Sequence, residues 1–262
     1  MIPSVVVHHV VEPSDGLAPD APTVVLSNSL GSTLAMWDRQ VADMARHFRV
    51  VRYDTRGHGG SPVLDGPYMI DDLADDVIGL LDRLGLSRVH FVGLSLGGMT
   101  GLRLAARNPD RIDRLAVLSS SALLGPSSGW HNRAATVRSE GTAAVAEAVV
   151  GRWYTRGMAL RNPDRIAAAR AMVAGTSAEG YASCCEVIAE MDLTSDLSSI
   201  VAPTLAIAGG DDSATPPDHL ERIAAGVRNG RFLLVPDSAH LANDEQPAVI
   251  NRALIAHLTG LL

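Results

Sequence analysis

Residues 89–107 read VHFVGLSLGGMTGLRLAAR. A β-rich apolar run changes to a helical pattern within one turn, and the change carries Gly93-Leu94-Ser95-Leu96-Gly97. A strand can feed a helix that abruptly only if the residues two before and two after the serine are nearly free of side chains. The serine is then forced into strained backbone geometry with its Oγ exposed at the edge of a sheet. An ordinary glycine-rich strand-to-helix turn is the plainer reading. It becomes the weaker one when the rest of the chain is read the same way.

Short β-rich runs alternate with helical patterns along most of the sequence. Strands are expected at Ser4–Val11, Thr23–Ser27, Arg49–Asp54, Arg88–Leu94 and Arg114–Ser120, then in PTLAIAGG and GRFLLVPD. A polar loop ending in PDAP separates the first two. Between the strands, Leu34, Trp37, Val41 and Met44 recur at helical spacing, and Asp71–Leu84 forms an amphipathic helix closed by Gly85. Met99–Arg107 continues the helix after Ser95, and a last helix spans about Gln246–Leu262. Strands that are apolar on both sides and alternate with helices imply a parallel sheet covered on both faces, an α/β fold. From about Ala122 to Asp196 no strand candidate occurs, and Ala, Arg and Glu dominate in helical patterns. The expected organisation is a core of residues 1–121 and 197–262, interrupted by a helical cap over 122–196.

Several function classes are excluded early. The net charge is −7, which leaves no footprint for nucleic acid or an anionic membrane. All 22 basic residues are Arg, so Schiff-base chemistry and a P-loop lysine are ruled out. The N-terminal apolar run is too short for a signal peptide, and no stretch approaches about 20 apolar residues. A cytoplasmic enzyme is the default. The adjacent Cys184 and Cys185 read as free thiols with at least one buried on a helix, and the spacing of metal-binding motifs is missing, so no metal is expected.

A serine hydroxyl needs a base. Of nine His, only His240 lies in a loop between the expected last strand and the final helix. His8 and His9 fall in the first strand and His90 in a central one, where packing is the better reading. His219 and His257 fall on helices and are expected to face solvent. His58 follows DTRG in a glycine-rich loop that could bring it near the site, and no catalytic role is assigned to it. The base in turn needs a carboxylate to hold its tautomer. IAGGDDSATPP supplies two, Asp211 and Asp212, at the same sheet edge. Ser95, an Asp, then His240 is the chain order of an α/β-hydrolase. The oxyanion donors are expected to be the backbone N–H groups of Leu30 and Leu96, with Asn28-Ser29 standing where lipases often carry His-Gly.

The segments VLSNSLGSTLAMWDRQ, FRVVRYDTRGHGGSP, HFVGLSLGGMTGLRLA, RWYT, EGYASCCEVIAEMDL, APTLAIAGGDDSATPP and AHLANDEQPAVI resemble the 3-oxoadipate enol-lactonases of the β-ketoadipate pathway. The resemblance spans nearly the whole chain, including the helical insertion. It implies an α/β-hydrolase fold with a cap, and hydrolysis of an enol-lactone to 3-oxoadipate without metal or organic cofactor. It also implies which carboxylate acts: the family's spacing of Gly, Asp and Thr-Pro falls on Gly209, Asp212, Thr215 and Pro216. Independently, Thr215 as a helix N-cap with Pro216 at the first helical position would leave Asp212 mid-loop and Asp211 in solvent.

The expected partner is a small lactone or ester, with no nucleic acid or membrane and with monomer or homo-oligomer left open. A substrate carboxylate calls for an Arg in the pocket; Arg133 is the candidate, with Trp130 as an apolar wall. Arg56 is expected to brace its loop with Asp54. The alternatives are another hydrolase on this fold (a carboxylesterase, a C–C-bond hydrolase or a cofactor-free perhydrolase) and a non-hydrolytic ligand-binding protein on the same scaffold.

Overall fold

The computed structural model describes residues 4–12, 16–18 and 20–261. The start of the N-terminal apolar run, part of the polar loop before the second strand, and Leu262 at the expected end of the last helix lie outside these residues.

In chain order the elements are β1 (His9–Val11), β2 (Thr23–Ser27), α1 (Asp38–Met44), β3 (Arg49–Tyr53), α2 (Ile70–Arg83), β4 (Val89–Leu94), α3 (Leu96–Arg107) and β5 (Ile112–Leu118). Five helices follow without a strand: α4 (Ser127–Glu140), α5 (Ala143–Trp153), α6 (Arg156–Arg161), α7 (Pro163–Ala174) and α8 (Ala178–Glu190). The chain then returns to β6 (Thr204–Gly209), α9 (Pro217–Gly226), β7 (Gly230–Val235), α10 (Ala242–Glu245) and α11 (Pro247–Leu258). The seven strands form one sheet in the order β1-β3-β2-β4-β5-β6-β7, and only β1 is antiparallel to its neighbour.

Every residue of β2, β4 and β6 is buried, so both faces of the sheet are covered. α3 packs on β4 and β5, α9 on β6 and β7, α1 on β3 and α11 on β5, and α2 and α1 pack in turn against α3 and α11. In α2, Leu73, Ala74, Val77, Leu80 and Leu81 turn inward at helical spacing, and Gly85 ends the helix at φ +66°. The inserted helices pair as α4 with α8 and α5 with α7. Cys184 and Cys185 are both free thiols buried in α8, where burial pushes the Cys185 thiol up to about 12.

Some local expectations are corrected. Only His9–Val11 of the run Ser4–Val11 pairs as a strand, and His8 precedes it. The Val5 and His8 amides are taken instead by the Asp76 carboxylate at 2.7 Å and the Ser61 hydroxyl at 2.8 Å. The segment after β2 splits into a 3-10 turn, Leu34–Trp37, and α1. The fifth strand runs Ile112–Leu118, two residues earlier than expected, and the last helix stops at Leu258. His257 does not face solvent: it is buried and its Nε2 donates to the Leu115 carbonyl at 2.9 Å. His219 is half-buried and bonds the Ser121 hydroxyl at 2.7 Å. Arg56 does not pair with Asp54. It forms a two-pronged, fully buried bond to Asp76 at 2.6 and 2.7 Å, and Asp54 accepts from the Leu34 amide and His8 Nδ1.

Candidate active site

Ser95 sits between β4 and α3 at φ 57°, ψ −115°, a conformation that a non-glycine residue holds only under constraint. Its amide donates to Leu118 O of β5 at 2.9 Å, and the Ser120 hydroxyl donates to its carbonyl at 2.8 Å. The flanking glycines are required by contact. A Cβ on Gly93 would meet the backbone oxygen of Gly97, and one on Gly97 would meet the Ser27 carbonyl. The spacing read from the sequence is therefore a packing requirement of the turn.

His240 follows β7 and is buried. Its Nδ1 donates to Asp212 Oδ2 at 2.8 Å, which fixes the tautomer with the lone pair on Nε2. Asp212 lies in the loop after β6 and is 3% exposed, whereas Asp211 is exposed. Asp212 Oδ1 accepts from the amides of Ala214 (2.8 Å) and Thr215 (3.1 Å), and Oδ2 also accepts from the Thr215 hydroxyl at 2.8 Å. Burial works to raise the Asp212 carboxyl, but His240 and these donors outweigh it and hold it below the ordinary carboxylate value.

Thr215 is not the helix cap expected from the sequence. Pro216 occupies that position and Pro217 is the first residue of α9, so the proline pair shifts the helix start by one. The Thr215 hydroxyl is thereby freed for Asp212, and it also lies 3.3 Å from His240 Nδ1. The sequence signal for this third partner was present in the Asp-x-x-Thr spacing, but the competing cap assignment hid it.

The loop after β2 lies against this edge. Asn28, standing where a lipase would carry His, is fully buried and acts as a tie. Its Nδ2 donates to Tyr53 O at 2.8 Å, its Oδ1 accepts from the Trp37 indole at 3.0 Å, and its carbonyl accepts from the Gly97 amide at 2.9 Å. The Ser29 amide donates to Met36 Sδ and that of Ser32 to the Ser29 carbonyl. Between them, the Leu30 N–H has no acceptor among the described residues, and neither has the Leu96 N–H at the start of α3. Both amides expected to be oxyanion donors are thus uncommitted.

Ser95, His240, Thr215, Ser29 and Leu30 line one side of a cavity of about 300 Å³. The inserted helices line the other, with Trp130 and Arg133 of α4, Arg152 and Trp153 of α5, and Tyr181 and Ile188 of α8. The Arg133 guanidinium stacks on the Trp130 ring, 4.4 Å from its centroid. Arg152 was not anticipated, because nothing in RWYT distinguishes an inward from an outward Arg. Burial, with the neighbouring positive Arg133, lowers its pKa. Neither arginine has a salt-bridged carboxylate among the described residues, so an acidic protein presents two guanidinium groups to this cavity. His58 is buried outside it.

Known proteins share this fold. Residues 22–247 match the family described as alpha/beta hydrolase fold. The 3-oxoadipate enol-lactonase 2 of Acinetobacter baylyi is 39% identical over 246 residues, which cover 90% of this chain and 88% of that one. The crystal structure of the enol-lactonase from Burkholderia xenovorans LB400 matches with a TM-score of 0.93 at 41% identity, over 97% of this chain and 96% of that one. A thermophilic esterase from Thermogutta terrifontis, solved with malate bound, matches with a TM-score of 0.88 at 29% identity, over 97% and 94% of the two chains. The chain belongs to the alpha/beta hydrolase family, as an ester hydrolase among the 3-oxoadipate enol-lactonases.

Proposed function

We propose that this hydrolase opens the ring of 3-oxoadipate enol-lactone, or of a close lactone bearing a free carboxylate, through an acyl-enzyme on Ser95. The observation that carries the lactone reading is the joint presence, in the lining of one cavity, of Ser95, of His240 held from behind by Asp212, and of Arg133 and Arg152, neither of which has a salt-bridged carboxylate among the described residues. The relatives named above support the same substrate class.

The substrate carboxylate pairs with the arginines, which places the ring carbonyl at Ser95. His240 Nε2 takes the Ser95 proton as Oγ attacks the carbonyl carbon. Charge developing on the carbonyl oxygen is held by the N–H groups of Leu30 and Leu96, at the positive end of α3. The ring C–O bond then breaks. The leaving oxygen departs as an enolate, a better leaving group than an alkoxide, and it takes up the proton held by the His240 imidazolium, which returns His240 to its neutral form. Its enol tautomerises to the ketone while the other end of the same molecule stays esterified to Ser95. His240 next deprotonates a water, which attacks the ester, and Ser95 leaves with the proton returned. Asp212 stays ionised and stabilises the imidazolium in both halves. In this reading the helices over 122–196 form a cap that supplies the carboxylate-binding wall.

A substrate panel tests it. Fast turnover of the carboxylated enol-lactone beside slow turnover of neutral aryl esters is the expected result. The reverse ranking would assign the site to a simple carboxylesterase.

A further inference from the structure

Gly31 follows Leu30 at φ +77°, and its N–H donates to Nε2 of the buried His58 at 3.0 Å. The other ring nitrogen, Nδ1, is 3.1 Å from the Arg56 carbonyl, an acceptor only, so Nδ1 carries the hydrogen and Nε2 the lone pair. The contacts around Gly31 leave no slack. A Cβ there would lie 2.8 Å from Tyr181 Cε2 of α8, and the Gly57 backbone beside His58 is pressed on Gly180 of the same helix. Every other amide from Ser29 to Thr33 is committed: Ser29 to Met36 Sδ, Gly31 to His58, Ser32 to Ser29 O and Thr33 to Met172 Sδ. The loop is pinned on both sides of the one free N–H, that of Leu30.

We infer that His58 is a positioning residue for the oxyanion hole: by accepting the Gly31 N–H it sets the orientation of the adjoining Leu30 N–H toward the substrate carbonyl. This rests on the proposed acyl-enzyme at Ser95. The imidazole suits the task because it is rigid, donates at one end and accepts at the other, and bridges the loops that follow the paired strands β2 and β3. Burial lowers the His58 pKa, which keeps the Nε2 lone pair available. Losing an oxyanion donor outright costs about 10²–10³-fold in kcat. A donor left in place but mis-aimed costs part of that.

The test compares His58→Gln, whose Oε1 reaches the Nε2 position, with His58→Asn, which reaches only the Nδ1 position. Rates are normalised to sites titrated with a fluorophosphonate, and Ser95→Ala is run alongside. The expected result is a fall in kcat of about 10–100-fold for His58→Asn with KM nearly unchanged. His58→Gln should recover most of that loss. Affinity for an arylboronic acid, whose serine adduct carries a tetrahedral oxyanion, should fall with kcat, while affinity for the product carboxylate should hold. Equal losses in the two variants, in rate or in folding, overturn the inference. So does a loss carried by KM alone. If Ser95→Ala stays active, the acyl-enzyme reading itself fails, which is a different outcome from equal His58 variants beside a dead Ser95→Ala.

Discussion

The Thr215 hydroxyl and His240 Nδ1 both donate to the same atom, Asp212 Oδ2, each at 2.8 Å. The carboxylate that orients the base is itself held by a side chain three residues away. Removing that hydroxyl in Thr215→Val keeps the volume but leaves Asp212 with fewer donors, and one hydrogen bond to a charged group contributes about 1.5–3 kcal/mol. We expect kcat to fall about tenfold or more, with KM little changed and Thr215→Ser close to wild type. Steady-state kinetics of the two variants checks this, and equal rates would leave Thr215 without a share in positioning.

The two adjacent aspartates should respond in opposite ways. Asp212→Asn keeps the shape but favours the wrong His240 tautomer, and a loss of about 10⁴-fold in kcat is expected. Asp211 is exposed, so Asp211→Asn should change kcat less than about twofold. Parallel kinetics on both variants decides the assignment.

The cavity arginines should govern KM for charged substrates. Arg152→Gln is expected to raise KM for the carboxylated lactone about 30-fold, or ~2 kcal/mol, and to leave a neutral aryl ester nearly untouched. Arg133→Gln should affect both substrates, because it also removes the cation stacked on Trp130. Equal effects of Arg152→Gln on the two substrates would remove it from carboxylate recognition.

The Glu179 charge should hold α8 to α4 down to acid pH and lose its effect only as pH nears 2. Arg138 bonds Glu179 of α8 at 2.8 and 2.9 Å, and Glu179 also accepts from Ser183 and from the Gly66 amide. Arg138 chiefly pulls the Glu179 carboxyl down to about 2 from its ordinary 4.5, against some burial. A depressed carboxyl contributes its stability in full above the unfolded value and loses it as pH falls through the folded one. The Tm difference between wild type and Glu179→Gln should therefore be constant above about pH 5 and shrink toward zero as pH approaches 2. A difference that does not depend on pH would show that the Glu179 charge is irrelevant.

Much of this was legible in the sequence because it follows from contacts within a few residues. Gly93 and Gly97 are forced by the turn around Ser95, and the parallel sheet by strands that are apolar on both sides. The 75-residue gap without strands marked the inserted helices. Most of what failed depended on distant partners. Arg56 meets Asp76 across 20 positions, His257 reaches Leu115 O across 142, and Val5 spends its amide on Asp76 rather than on a strand. Arg152 could not be told from a surface Arg without the cavity. Thr215 was misread because an Asx-type loop and a helix cap share the same local residues.

The central claim is nucleophilic catalysis by Ser95, and the most direct measurement is kcat for Ser95→Ala on the enol-lactone, with the variant's Tm as a control. We predict a folded protein with kcat reduced by at least about 10⁴-fold. A folded Ser95→Ala enzyme that keeps kcat within about tenfold of wild type would contradict the account.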